Sequence, residues 1–202
     1  MQQAEQRLRD GEDDALAELF DHYRSRLKRI AKFRMDYRLA GRVAESDVIQ
    51  ESFLAAAQRV QHYREKPELP FFVWLRMVMN QQLADLHRRH VQAEKRDVRR
   101  EISLERPAVS PHTSLAMAAQ LVGKETSPSR AFSRVERIAT VEAALNQLEP
   151  IDREVIALRH FEELSNAEAA AVLDINEQAA SKRYVRAIKR MREVLSALPG
   201  FQ

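Results

Sequence analysis

Apolar residues recur at steps of three and four along most of this chain, a periodicity that is typical of amphipathic helices. The clearest example is the segment 13–33, whose apolar residues are Leu16, Leu19, Phe20, Tyr23, Leu27, Ile30 and Ala31. Glycine, which weakens a helix, occurs only 4 times in 202 residues. The sequence therefore predicts an all-α protein.

Prolines and breaks in the periodicity indicate how the helices are arranged. We predict N-terminal helices over 13–33, 46–61 and 71–100, with a proline-containing loop at 63–70. Residues 103–133 contain Pro107, Pro111 and Pro128 and little sustained periodicity, although 114–122 has the pattern of a short helix. This stretch is interpreted as a flexible linker. We expect two helical domains, 1–102 and 134–202, joined by residues 103–133.

Composition narrows the class of protein. No segment has the run of about 20 apolar residues that a membrane helix needs, and the N-terminus lacks the apolar core of a signal peptide. Cysteine is absent, so disulfides and thiolate metal sites are excluded. We expect a cytoplasmic protein without membrane insertion. Positive charge concentrates at 88–100 and 182–192, which favours nucleic acid as a partner.

The C-terminal domain contains the pattern of a helix-turn-helix. Ser165 and Glu168 form a capping-box pattern before a short helix, and Asn176 can cap the basic helix that follows the turn. Side chains on that second helix can donate to phosphates or to base edges in the major groove. The candidate DNA contacts are Ser181, Lys182, Arg183, Arg186, Lys189 and Arg190. A solvated basic helix in an ordinary bundle is the alternative.

The same segment resembles region four of the extracytoplasmic-function (ECF) sigma factors of bacterial RNA polymerase. The resemblance lies in Leu164–Leu173, in Ala180–Arg183 and in the basic tail Arg190–Leu195. It implies that the candidate residues bind the minus-thirty-five promoter element. Two features depart from the family pattern. Asp174 stands where glycine is common, and Ala179–Arg183 replaces the commoner Thr-Val-Lys-Ser-Arg.

The segment Asp47–Phe53 resembles the region-two helix that docks on the clamp of the largest polymerase subunit. The resemblance implies that Asp47, Gln50 and Glu51 bind the core enzyme. The spacing of these residues alone favours a solvated helix face that begins with a capping Asp.

The segment Phe71–Arg89 resembles the part of region two that opens and reads the minus-ten element. The resemblance implies DNA contacts from Asn80, Asp85, Arg88 and Arg89, with further phosphate contacts from Lys95, Arg96, Arg99 and Arg100. Trp74 and Leu75 could take part in melting, with the aromatic ring stacking on an extruded base, but we favour the hydrophobic core for Trp74. The loop 63–70 corresponds to the loop that captures a flipped base in this family.

Together the two resemblances imply a sigma factor that binds core RNA polymerase and promoter DNA, with an anti-sigma factor as a possible further partner. The alternative is a helix-turn-helix transcriptional regulator with an N-terminal helical partner-binding domain. No nucleophile motif or phosphate-binding glycine loop is present, so we predict no catalysis and no cofactor. His87 and His90 lie among arginines that would repel a cation, so no metal site is predicted either.

Overall fold

The computed structural model describes residues 1–35, 43–94, 113–123 and 128–198, and its regular elements there are helices. The prediction of an all-α protein is confirmed. By its internal contacts the chain divides into two units, Met1–Glu101 and Ile102–Gln202.

The N-terminal unit consists of four helices around one apolar core. They are α1 (Gln2–Arg9), α2 (Asp14–Arg34), α3 (Glu45–Glu65) and α4 (Phe71–Glu94). The helices α2, α3 and α4 pack against one another, while α1 packs against α2. The largest fully buried side chains of this unit are Leu8, Leu19, Phe20, Leu27, Ile30, Ile49, Phe71, Leu75 and Met79.

The helix α1 was not predicted from the sequence, because its only buried residues are Ala4 and Leu8. Arg64, near the end of α3, secures it. The Nε of Arg64 donates to the Leu8 carbonyl at 2.8 Å, and its Nη2 donates to Asp13 at 2.9 Å. A long-range contact from α3 thus holds a helix whose own apolar pattern is weak.

The predicted end of α3 at residue 61 is wrong, because the helix continues to Glu65 and includes Tyr63. The Tyr63 ring lies 4.8 Å from that of Trp74 and 5.6 Å from that of Phe71, and its hydroxyl donates to the Leu69 carbonyl at 3.2 Å. Burial raises the pKa of this hydroxyl above its ordinary value. The connection to α4 is therefore the short segment 66–70, anchored by a residue of the preceding helix.

The C-terminal unit contains α5 (Thr113–Val122), α6 (Pro128–Leu145) and α7 (Pro150–Ile156), which continues into a π-helical turn at Ala157–Phe161. It ends with α8 (Asn166–Leu173) and α9 (Glu177–Ser196). The helix α5 packs on α6, while α7 and α8 both pack on α9. Pro150 occupies the first turn of α7, as predicted.

The stretch 103–133, predicted to be a flexible linker with a short helix at 114–122, contains one complete helix and the start of another where it is described. The short helix anticipated at 114–122 is present as α5, with Met117 and Ala118 fully buried. The next helix, α6, starts at Pro128, ahead of the predicted domain start at 134. The helix α5 packs on α6, and its buried side chains recur at helical spacing, namely Thr113, Ser114, Met117, Ala118 and Val122. Residues 103–112 and 124–127 lie outside the described part of the chain.

Candidate nucleic-acid interface

The start of α8 is fixed by two reciprocal hydrogen bonds. The backbone N–H of Glu168 donates to the Ser165 hydroxyl at 3.1 Å, and the backbone N–H of Ser165 donates to the Glu168 carboxylate at 2.7 Å. Together these bonds satisfy two amide groups that the first turn of a helix leaves unpaired. The predicted capping box is confirmed.

The turn between α8 and α9 is closed by short polar side chains. Asp174 ends α8 in the left-handed conformation, with φ 54° and ψ 46°, which Asp tolerates better than most residues. Asn176 accepts from the Ala179 amide at 2.8 Å and so caps α9. The side-chain amide of Asn166 donates to the backbone carbonyl of Glu177 at 2.9 Å, and this bond joins the starts of the two helices. These contacts set the helix pair as a helix-turn-helix.

The seam between α8 and α9 is built from alanines. Ala169 and Ala180 are fully buried there, as predicted, and Ala187 is buried on the same side of α9. The other predicted seam residues, Val172, Leu173, Ile175 and Tyr184, are only half-buried. Alanine side chains allow the two helices to approach closely.

The opposite side of α9 is an exposed row. Its members recur at three- and four-residue steps and are Gln178, Ser181, Lys182, Val185, Arg186 and Lys189. We call these six residues the outer row. Four of them were predicted, whereas Gln178 and Val185 were missed. Their spacing from Ser181 and Lys182 could have identified them. Glutamine can pair with adenine, and an apolar side chain can contact a thymine methyl.

Arg183 and Arg190 do not lie in the outer row, although the sequence placed them on or near it. The Nη1 of Arg183 lies 2.9 Å from Oδ1 of Asp152, and the Nη1 of Arg190 lies 3.2 Å from Oδ2 of the same residue. Asp152 belongs to the first turn of α7, and its side chain is 6% exposed. Both arginines are thus engaged within the C-terminal unit. Their contact with DNA stays a prediction.

The predicted polymerase contacts lie at the start of α3. Asp47 and Gln50 are exposed, and Glu51 is half-buried. Asp47 also accepts from the Ala44 amide at 3.4 Å, so it has the capping role that its spacing favoured. Leu54, one turn beyond Gln50 and Glu51, is 61% exposed. Leu54 was not predicted as a surface residue, because a single apolar residue in an amphipathic helix is usually buried.

The predicted minus-ten contacts are spread along α4 in different environments. Asn80 is half-buried, and its amide oxygen is buried without a hydrogen-bond partner among the described residues. Further along, Arg88 pairs with Asp85. Arg89 reaches across to α3, where its Nη2 lies 3.2 Å from Glu51. The ion pair therefore links Arg89, a predicted DNA contact, to Glu51, a predicted polymerase contact.

Trp74 and Leu75 belong to the core, as favoured for Trp74. They are 5% and 0% exposed, and the Trp74 ring packs against Tyr63 and Phe71. Neither side chain is available for stacking on a base in this arrangement. The predicted phosphate contacts at 95, 96, 99 and 100, and the His90 side chain, lie outside the described residues.

The fold and the helix-turn-helix define a class of protein. The chain is helical and has two units, of which the C-terminal one has the architecture of a DNA-binding domain. The model of the family described as "ECF sigma factor" matches residues 2–196. The chain therefore belongs to the ECF sigma factors, and its function is to direct promoter-specific transcription. The alternative of a regulator that acts without being a sigma factor is not favoured.

Individual relatives agree with the family match. The chain is 27% identical to the ECF RNA polymerase sigma factor BldN of Streptomyces coelicolor over 96% of its own length and 66% of BldN. It is 24% identical to SigW of Bacillus subtilis over 95% of this chain and 94% of SigW. The solved structure of CnrH from Cupriavidus metallidurans, in complex with the cytosolic domain of CnrY, is similar with a TM-score of 0.52 and 25% identity. That similarity covers 96% of this chain and 95% of CnrH.

Within the described ranges, none of the helices combines the length and apolar character that crossing a bilayer requires.

Proposed function

We propose that the two units divide the work of promoter recognition. The C-terminal unit, which we assign as region four over 134–202, binds the minus-thirty-five element. The N-terminal unit, assigned as region two over 1–102, binds core RNA polymerase and the minus-ten element. The observation that carries this proposal is the exposed outer row of α9, presented by a capped helix-turn-helix in a chain that belongs to the sigma factors.

For the minus-thirty-five element, the outer row supplies chemistry suited to a major groove. Lys182, Arg186 and Lys189 supply positive charge for phosphates and guanines, and Ser181 can donate or accept. Gln178 and Val185 add groups suited to adenine and to the thymine methyl. Because all six side chains share one face of α9, they can enter one groove together.

For the core enzyme, the contact surface is the exposed start of α3. Asp47, Gln50 and Glu51 offer acceptors to arginines of a partner helix, and such charge-assisted hydrogen bonds are stronger than neutral ones. Leu54 lies beside them and contributes apolar area that folding leaves exposed. An apolar centre with a polar surround is the usual arrangement of a protein interface.

For the minus-ten element, we assign Asp85, Arg88 and Arg89 in the second half of α4, with Asn80 about two turns before Arg88. The side chains of Arg88 and Arg89 are 47% and 60% exposed, and the carboxylates with which they pair are 41% and 40% exposed, so phosphates can replace them. Asn80 needs a side-chain rotation to present its amide oxygen, because that atom is buried.

Two further assignments rest on relatives and on composition. CnrH is solved in complex with the cytosolic domain of CnrY. We propose that this chain likewise has a protein partner, and that this partner is an anti-sigma factor that holds it inactive. We further propose that it acts in the cytoplasm without a cofactor, with the chemistry of RNA synthesis belonging to the polymerase.

Run-off transcription with sigma-free bacterial core polymerase and a genomic promoter pool tests the proposed function. Wild-type protein should give transcripts that start at a limited set of sites with shared upstream and downstream elements. Core polymerase alone should not. Transcripts with random start sites, or none at all under conditions in which a known sigma factor is active, would contradict the proposal.

A further inference from the structure

One carboxylate on α7 holds two turns of α9. The Oδ1 of Asp152 accepts from Nη1 of Arg183, and its Oδ2 accepts from Nη1 of Arg190. The two arginines are seven positions apart, which is nearly two turns, so they lie on one side of the helix. Asp152 thus connects α7 to α9 at two points along the helix axis. We call these three residues the Asp152 clamp.

The environment of Asp152 sets the clamp apart from a surface ion pair. The Asp152 side chain is 6% exposed and that of Arg183 is 29% exposed. Moving a carboxylate out of water is costly unless charged partners and hydrogen bonds compensate for it. Asp152 has two charged donors, and it lies in the first turn of α7, where the helix dipole favours a negative charge.

The clamp ties one side of α9 to α7 and so restricts rotation of α9 about its own axis. Ala180 and Ala187 face the interior of the unit, and Arg183 and Arg190 lie beside them at the edge of the buried face. At about 100° per residue, the two arginines point roughly 120° away from the centre of the outer row. When both bonds to Asp152 are made, the outer row is therefore held facing away from α7.

We propose that Asp152 is a positioning residue for upstream-element recognition. Through Arg183 and Arg190 it holds α9 in the rotation that presents the outer row to the major groove. Arg183 and Arg190 act inside the protein, and the bases are read by outer-row side chains. This inference rests on the proposed function of the C-terminal unit as the minus-thirty-five reader.

The clamp also limits non-specific binding to DNA. Two arginines that share one carboxylate cannot both move freely to the nearest phosphate. If Asp152 loses its charge, both guanidinium groups become available to any duplex. Phosphate contacts add affinity without sequence information, and each one makes binding more sensitive to salt. Loss of the clamp should therefore weaken discrimination and strengthen non-specific binding together, which simple unfolding of the unit would not do.

The test uses the full chain in the holoenzyme. Affinity is measured at several salt concentrations for a promoter fragment and for a fragment with a scrambled minus-thirty-five element. For Asp152→Asn we expect the ratio of the two affinities to fall about tenfold, comparable to the loss of one good base contact. The affinity for the scrambled fragment should rise. The slope of log affinity against log salt concentration should steepen by about 1 for each additional phosphate that the variant binds. The control Glu136→Gln makes the same charge change at an exposed position of α6 and should alter neither value.

A second arm separates the clamp from direct base reading by Arg183. If Arg183 acts only through Asp152, the change Arg183→Gln should reduce discrimination in the wild-type background and have little further effect on Asp152→Asn. Equal losses in both backgrounds would mean that Arg183 reads DNA itself and would overturn the proposal. So would unchanged discrimination by folded Asp152→Asn.

Two other outcomes remain interpretable. If Asp152→Asn unfolds the C-terminal unit, Arg190→Gln breaks only one bond of the clamp. Lower discrimination by that variant supports the proposal, and unchanged discrimination contradicts it. If the wild-type holoenzyme does not distinguish the two fragments at all, the proposed minus-thirty-five function fails, and the clamp fails with it as a recognition device.

Discussion

The basic segments of α4 and α9 look alike in sequence, but their arginines are held in different electrostatic environments. In α4, Arg88 and Arg89 pair with Asp85 and Glu51, carboxylates that are substantially exposed to water. Such pairs contribute at most about 1 kcal/mol to stability, because solvent screens them. A DNA phosphate can therefore replace the carboxylate at little cost.

In α9, by contrast, Arg183 and Arg190 share a carboxylate that is almost completely buried. Removing that carboxylate would leave Arg183, whose side chain is only 29% exposed, without its charged partner, while the more exposed Arg190 keeps part of its hydration. A basic residue near a DNA-binding helix is thus not necessarily a DNA contact. The exposure of its acidic partner indicates whether it is available to DNA or belongs to the fold.

The largest expected effect is on the stability of the C-terminal unit. Asp152→Ala should lower its free energy of unfolding by about 3 kcal/mol, the low end of the range for a broken buried pair, because Arg190 remains partly solvated. The only tryptophan, Trp74, lies in the N-terminal unit, so its fluorescence reports on that unit. In urea, helical circular dichroism should show an earlier transition while the fluorescence transition stays in place.

The matched control is Asp85→Ala, which removes the exposed acid from its pair with Arg88. It should change the stability of the N-terminal unit by less than about 1 kcal/mol. Comparable losses from the two substitutions would remove the distinction between the two environments.

The next effect separates two arginines of α9. Arg186→Ala should weaken binding to the upstream element by about 1–3 kcal/mol if Arg186 makes a bidentate base contact, with little change in protein stability. Arg183→Ala should instead destabilise the C-terminal unit, as Asp152→Ala does. Competition between promoter fragments with base substitutions measures the first effect and urea unfolding the second. If Arg186→Ala left promoter choice unchanged, Arg186 would not be a residue that reads the upstream element.

A smaller effect is expected at the polymerase interface. Leu54→Gln removes exposed apolar area, so it should raise the Kd for core polymerase about tenfold, or about 1.4 kcal/mol, without loss of stability. Val135→Gln is a matched control, since Val135 is 64% exposed and lies on α6 of the other unit. Equal affinity of wild type and Leu54→Gln, measured by competition for labelled core, would exclude this site.

The smallest effect is expected for the exposed pair of Arg89 and Glu51. Arg89→Ala should change the stability of the N-terminal unit by less than about 1 kcal/mol. If Arg89 contacts a phosphate, the slope of log affinity of the holoenzyme for promoter DNA against log salt concentration should become less steep by about 1. A salt dependence identical to wild type would show that Arg89 stays with Glu51 in the complex.

The caps and the turn of the helix-turn-helix could be predicted from the sequence, because their determinants are local. The bonds of Ser165 with Glu168, and of Asn176 with Ala179, each span three positions in sequence. The left-handed conformation of Asp174 is likewise set within the turn itself.

Features that depend on distant partners could not be predicted in this way. The acidic partner of Arg183 is 31 positions away on another helix, and the bond that secures α1 comes from a residue 56 positions away. The extension of α3 through Tyr63 was missed for the same reason, since the ring is buried against residues of α4. Periodicity shows which face of a helix is apolar, but it does not identify what packs against that face.

We propose, centrally, that the outer row of α9 chooses the upstream element while the start of α3 provides attachment to the polymerase. The most direct test sequences the transcript start sites made from a promoter pool by core polymerase with wild type, Arg186→Ala or Leu54→Gln. Arg186→Ala should change the preferred minus-thirty-five sequence and leave the minus-ten preference intact. Leu54→Gln should reduce all transcripts by a similar factor at limiting protein. A uniform loss for Arg186→Ala, or an altered minus-thirty-five preference for Leu54→Gln, would contradict this division between the two units.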